Sequence, residues 1–119
     1  MPNYETTKRT TKVFSAKHSE PGSFRKGYIL LPVGYKYNSE WRTAKNGDKL
    51  KLWDGGLYTI YAVRRLSLDK PEADILCRLR YGIPLKRCIS IWKSNALIEG
   101  HGANAISTDE CLWIIYDTE

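Results

Sequence analysis

Apolar and polar positions alternate with a period of two through Lys49-Leu50-Lys51-Leu52-Trp53, and again where Tyr58, Ile60, Ala62 and Arg64 interleave with Thr59, Tyr61, Val63 and Arg65. Asp54-Gly55-Gly56 separates the two runs, and period-two patterning across a glycine-rich turn is the short-range signature of a β-hairpin. Glycine lacks the Cβ that forbids positive φ, so Asp-Gly accommodates the tight turn. Lys49, Lys51 and Trp53 then share one face, and Leu50 and Leu52 turn to the other. Two earlier strands are expected, at Lys12 to Ala16 and over the wholly apolar Tyr28 to Val33, joined by a loop through His18 and Pro21-Gly22. The stretch from Gly34 to Asp48 is polar and turn-rich, and loops of this length in small domains are usually functional.

After the hairpin the period lengthens. Asp69-Lys70-Pro71-Glu72 resembles a helix start, with Asp69 as side-chain acceptor, proline in the first turn and Glu72 three residues on. Ile75, Leu76 and Leu79 follow on one helical face, and Gly82 is placed to end the helix in a left-handed conformation. Pro84 opens a second helix, in which Leu85, Cys88, Ile89, Trp92 and Ala96 fall on one stripe. At the C-terminus Ser107-Thr108-Asp109-Glu110 has the spacing of a capping box, but Cys111-Leu112-Trp113-Ile114-Ile115-Tyr116 is rich in strand formers. Helix and strand compete there, and the cap favours a short helix over residues 107 to 116. The expectation is an α+β fold in one domain, residues 12 to 119, preceded by a polar, flexible arm over residues 1 to 11.

A chain of 119 residues is long enough to bury a core without staples. No apolar run approaches the roughly 20 residues that cross a bilayer, and the N-terminus has no apolar segment after its charges, so a cytoplasmic location and no membrane partner are expected. Cys77, Cys88 and Cys111 are spaced by 11 and 23 residues, which fits neither a zinc ribbon nor a redox pair, so buried reduced thiols are expected, with no metal and no cofactor. The net charge of +6 and pI near 9.3 favour an anionic partner.

The placement of the cations sharpens that preference. Lys36, Trp41, Arg42, Lys45, Lys49, Lys51, Trp53, Arg64 and Arg65 all fall in or beside the hairpin segment, with Tyr35 and Tyr37 among them. Lysine and arginine along such a groove hold phosphates while an aromatic ring, Trp41 or Trp53, stacks on a base. The plain alternative is that both tryptophans are core and the lysines solvate the sheet. The same surface also suits an acidic protein partner. The helix pair around Gly82 has the outline of a helix-turn-helix, with Lys86, Arg87 and Lys93 available to DNA, although any helical corner shares that outline. His18 and His101 have no ligand-spaced neighbours, Ser19 and Ser39 lack a nucleophile elbow, and the glycines match no phosphate loop.

Gly34, Lys36, Glu40 and Arg42, followed by Gly47-Asp48 ahead of the hairpin and by Ile106 to Trp113 near the end, resemble the ASCH family of PUA-like domains, whose motif is G-x-K-x-x-E-x-R. Here one extra residue separates Lys36 from Glu40, which on a strand rotates one away from the other. The resemblance implies a small β-barrel with two or three packed helices. It also implies a cleft in which Lys36, Glu40 and Arg42 face RNA or a modified nucleotide, with Glu40 accepting from a base or ribose. Some members of the family are amidohydrolases acting on acetylated cytidine through a lysine, a threonine and a glutamate. Glu40 stands where the threonine is expected, with Ser39 beside it, and a carboxylate is a poor substitute for an activated hydroxyl. Lys36, Ser39 and Glu40 are the catalytic candidates the resemblance implies, and binding of RNA or single-stranded nucleic acid without catalysis is the expectation.

Overall fold

The computed structural model describes residues 11–16, 27–34, 37–52, 55–102 and 105–117. Five strands, β1 (Val13–Ser15), β2 (Tyr28–Pro32), β3 (Lys49–Lys51), β4 (Leu57–Ser67) and β5 (Glu110–Asp117), form one sheet in the order β1-β3-β4-β5-β2. The β1–β3 pair is parallel and the other pairs are antiparallel. Two helices, α1 (Pro71–Tyr81) and α2 (Leu85–Ile98), stand between β4 and β5 in sequence. The fold is therefore α+β, with a mixed sheet. The arm expected over residues 1 to 11 lies, but for Thr11, outside the described residues.

Each face of the sheet carries its own core, as the period of two requires. On the inner face Phe14, Ile29, Leu31, Leu50, Ile60, Leu112, Ile114 and Tyr116 pack with Trp41 and Val33. On the outer face Leu30, Leu66 and Cys111 meet Cys77 and Tyr81 of α1 and Cys88, Trp92 and Ala96 of α2. The hairpin forms as its pattern predicts, Lys49 opposite Thr59 and Lys51 opposite Leu57, with Leu50 and Leu52 buried.

The C-terminal segment departs from expectation. Residues Glu110 to Asp117 are strand β5, hydrogen-bonded on both sides, to β4 and β2. Ser107 does accept a backbone N–H, but it is that of Asp109, two residues on, at 3.0 Å. The apparent capping box is a turn that leads into a central strand, where β-branched and aromatic residues pack on two faces. Asp69 is likewise not the cap of α1, because Lys70 holds that position and the Asp69 carboxylate accepts from the Ser67 hydroxyl at 2.6 Å. Gly82 does end α1, with φ of 75°.

The buried face of α1 also differs from the expected one. Ile75 and Leu79 are 53% and 60% exposed, and Ala73, Cys77, Arg80 and Tyr81 are buried. The reason lies in the sheet edge. The Arg80 Nε donates to the Tyr28 carbonyl at 2.8 Å, and the Tyr81 hydroxyl accepts from the Leu30 N–H at 3.0 Å. An edge strand needs partners for its outward main-chain groups, and α1 supplies them through polar side chains, which turns its polar edge inward.

Candidate functional site

The loop that follows β2 is folded back on itself by a few hydrogen bonds. The Gly34 N–H donates to the Tyr37 carbonyl at 2.9 Å, and the Asn38 side-chain amide donates to the Pro32 carbonyl at 2.9 Å. A 3-10 helix over Ser39–Thr43 comes next, and its Trp41 enters the inner core, with its ring centroid 5.1 Å from that of Phe14. Anchoring Trp41 turns Arg42 back towards Gly34, whose carbonyl accepts from Arg42 Nη1 at 2.9 Å. The first and last residues of the Gly34–Arg42 pattern thus touch. Gly34 has no room for a side chain, since a Cβ there would meet the main chain of Ala105 and Ile106.

At the open end of the inner core Val33, Ala44, Val63 and Leu112 floor a cavity of about 180 Å³, rimmed by Arg42, Arg64, Arg65 and Glu110. Which of the two β4 arginines lies on the inner face of the sheet is decided by an irregularity in β4 between Ile60 and Ala62. Uninterrupted alternation would put Ala62 and Arg64 on the side of Ile60. An extra residue in one strand reverses the faces beyond it, so Val63 pairs with Ile114 and Arg65 with Leu112, both inner-face residues. Glu110, opposite Ser67, follows on the same face, whereas Arg64 lies opposite Trp113 on the helix side. Tyr61, at the irregularity, is 64% exposed.

The remaining expected site residues fall elsewhere. Lys36 and Trp53 lie outside the described residues. Trp41 is 1% exposed and is part of the core, so it offers no face to a ligand. Glu40 is exposed and lines a second cavity, about 440 Å³, with Lys12, Val13, Phe14, Ser15 and Thr43. Glu40 and Arg42 therefore do not share a cleft, because two residues on a 3-10 helix point in different directions. Ser39 is half-buried at the start of that helix and lines neither cavity. Lys49 and Lys51 do share the outer face of β3, and Lys49 Nζ donates to Thr59 Oγ1 at 2.8 Å beside a polar hollow bounded by Tyr58 and Asp117. Lys45 is exposed, and its N–H donates to the buried Asp48 carboxylate at 3.1 Å, which also receives the Lys12 N–H at 3.2 Å.

The larger cavity is the poorer candidate, since its charges are one lysine and one glutamate that can offset each other. The arginine cavity joins an apolar floor to cations from two separate elements, the arrangement of a small-ligand site. Glu110 was absent from the sequence candidates; it was legible there only as half of an apparent helix cap. Among the described residues no three His, Cys, Asp or Glu side chains are grouped to hold a metal ion, and no helix is long and apolar enough to cross a membrane. Cys77, Cys88 and Cys111 are buried and unbridged. The Cys77 thiol is pushed far up by its hydrogen bond with Cys88 and by burial, and burial pushes Cys111 up to about 12.

Comparison of the chain with protein-family models, with curated proteins and with solved structures finds no match.

Proposed function

We infer that this protein binds single-stranded RNA or a modified nucleotide through the cavity rimmed by Arg42 and Arg65, without catalysis. The observation that carries the reading is that Arg42, from the 3-10 helix, and Arg65, from β4, line one cavity with an apolar floor at the mouth of the inner core. Guanidinium recognises phosphate through paired N–H donors, and an apolar floor receives an unstacked base. Arg42 is already held by the Gly34 carbonyl, so little of its freedom is lost on binding. Lys49 and Lys51 stand on the other face of the sheet, so the reading rests on Arg42 and Arg65.

The reading takes the sheet to roll up in the PUA-like manner. Phe14 of β1 and Ile29 and Leu31 of β2, from opposite ends of the strand order, join one core cluster, as side chains inside a rolled sheet do. The irregularity in β4 adds the curvature that rolling needs.

The test is fluorescence anisotropy of labelled single-stranded RNA, single-stranded DNA and duplex DNA across salt concentrations. Single strands are expected to bind, more weakly as salt rises. Replacing Arg42 by alanine is expected to lower the slope of log K against log salt by about 0.7, the value for one lost phosphate contact on a single strand. Unchanged affinity for every nucleic acid after charge reversal at both Arg42 and Arg65 would refute the reading. A salt-insensitive complex with an acidic protein, and none with RNA or DNA, would replace it.

A further inference from the structure

The cavity described above contains a group that a purely phosphate-binding site would exclude. Glu110 places a carboxylate on a rim otherwise formed by arginines, and an anion there repels phosphate. Among the described residues neither the Glu110 carboxylate nor the Arg65 guanidinium is engaged in a hydrogen bond or an ion pair. Both face the same side of the sheet, because Arg65 pairs with Leu112 and Glu110 pairs with Ser67 two positions further along. Diagonal neighbours of this kind lie about 7–8 Å apart, within reach of one bound ring. An acceptor pair and a donor fork are therefore presented together above Val33, Ala44, Val63 and Leu112.

We propose that this cavity takes a guanine base from a single strand, with Glu110 reading the N1 and N2 donors of its Watson–Crick edge and Arg65 its adjoining O6/N7 edge. The proposal rests on the RNA-binding reading and names the base that reading leaves open. A carboxylate has two acceptor oxygens and no donor. Guanine is the one common base whose Watson–Crick edge offers two adjacent N–H donors, N1–H and the N2 amine, so it alone satisfies both oxygens. Its other edge carries the O6 and N7 acceptors that an arginine fork matches. Adenine, cytosine and uracil each bring an acceptor against the carboxylate, which leaves a polar group without a partner and costs affinity. Size agrees with this assignment. Pockets for drug-sized ligands span roughly 300–1,000 Å³, and about 180 Å³ admits a base while its sugar and phosphate remain at the rim with Arg42.

The experiment uses fluorescently labelled uridine heptamers that differ only in the central nucleotide, which is guanosine, inosine, adenosine, cytidine or uridine. Inosine keeps N1–H, O6 and N7 but lacks the N2 amine. The intact 119-residue chain is expected to bind the guanosine heptamer roughly tenfold more tightly than the inosine one, the scale of one lost hydrogen bond to a charged group. It should bind the other three heptamers more weakly still. In Glu110→Gln the amide brings a donor against the base, and the guanosine preference is expected to shrink to within about twofold. Loss of the carboxylate charge also removes a repulsion of phosphate, so affinity for the all-uridine heptamer should hold or rise, and the role of Glu110 is read from the ratio of guanosine to inosine binding within each protein. Equal binding of guanosine and inosine heptamers by the unaltered protein overturns the guanine assignment, and that comparison does not depend on any variant folding. A guanosine preference that persists in Glu110→Gln overturns the role of Glu110. Either result leaves RNA binding standing, whereas failure to bind any heptamer at any salt removes the RNA reading itself.

Discussion

Replacing Gly34 by alanine is the most direct test of how the site is built. A Cβ at this position would overlap the Ala105 carbonyl oxygen and lie 2.5 Å from the Ala105 carbonyl carbon and 3.1 Å from Ile106 Cα. Ordinary contact begins at 3.4 Å, so the Ala105 carbon must retreat by about 0.9 Å and the oxygen by more. These are main-chain atoms, which do not swing aside as a flexible side chain does. The neighbouring hydrogen bond from the Ser107 N–H to the Val33 carbonyl, 2.8 Å, lies in the path of that movement. Overpacking of this kind costs about 1–3 kcal/mol and a lost hydrogen bond about 1 kcal/mol, so Gly34→Ala should destabilise the protein by about 2–4 kcal/mol. For a urea slope of about 2 kcal/mol per molar, the unfolding midpoint moves down by about 1–2 M. Gly102→Ala is the control, because nothing lies within 4 Å of its added Cβ, and its midpoint should hold or rise slightly. Displacing Gly34 also moves the carbonyl that holds Arg42, so RNA affinity should fall under conditions where the variant is still folded. A Gly34→Ala midpoint equal to that of Gly102→Ala would refute the close-packing argument.

Three further outcomes follow from the packing and the titrating groups. Leu50, fully buried in the inner core and paired between Phe14 and Tyr58, should cost about 2–5 kcal/mol on truncation to alanine, measurable by urea unfolding. The Asp74 carboxyl is held below the usual carboxylate range by the Leu85 backbone N–H, at 2.9 Å, and by Arg78. Its contribution is complete above the unfolded carboxyl value of about 3.9 and is lost as pH falls through the lower folded value. Asp74→Asn should therefore lower Tm at neutral pH, and melting curves should converge with those of the unaltered protein in strong acid. A gap that stays constant through acid pH would show that the carboxylate charge is irrelevant. The raised, buried thiols of Cys77 and Cys111 should resist a thiol reagent at pH 8 in the native protein and react after unfolding, since the thiolate is the reactive form. Rapid labelling under native conditions would place either thiol at the surface.

Elements whose signal is local were legible in the chain. The hairpin follows from alternation across Asp54-Gly55-Gly56, α2 from the stripe through Cys88, Trp92 and Ala96, and the end of α1 from Gly82. Arg42 and Arg65, which the crowding of cations and aromatics in one segment also singles out, both line the cavity. What failed were readings that needed a partner to decide them. Residues 110 to 117 carry both a cap-like start and strand formers, and β2 and β4, on either side, settle the choice by accepting β5 between them. The buried face of α1 follows the hydrogen-bonding demand of the β2 edge instead of the apolar stripe, so Arg80 is inside and Leu79 outside.

The sequence by itself determined the local periods, the turns and the supply of positive charge, because each depends on residues a few positions apart. Only the tertiary structure decided which charges meet. Trp41 reads as a stacking ring until Phe14, from a distant strand, is seen to cover it. Arg64 and Arg65 are equivalent in sequence and both line the cavity, but the irregularity in β4 sets Arg65 opposite the inner-face Leu112 and Arg64 opposite Trp113 on the helix side. Glu110 lines the cavity because β5 runs beside β4, and strand pairing sets it opposite Ser67, 43 positions away in the chain, as readily as it joins neighbours. Side-chain chemistry is local, but the address of each side chain is set by long-range pairing and close packing, which no window of the chain contains.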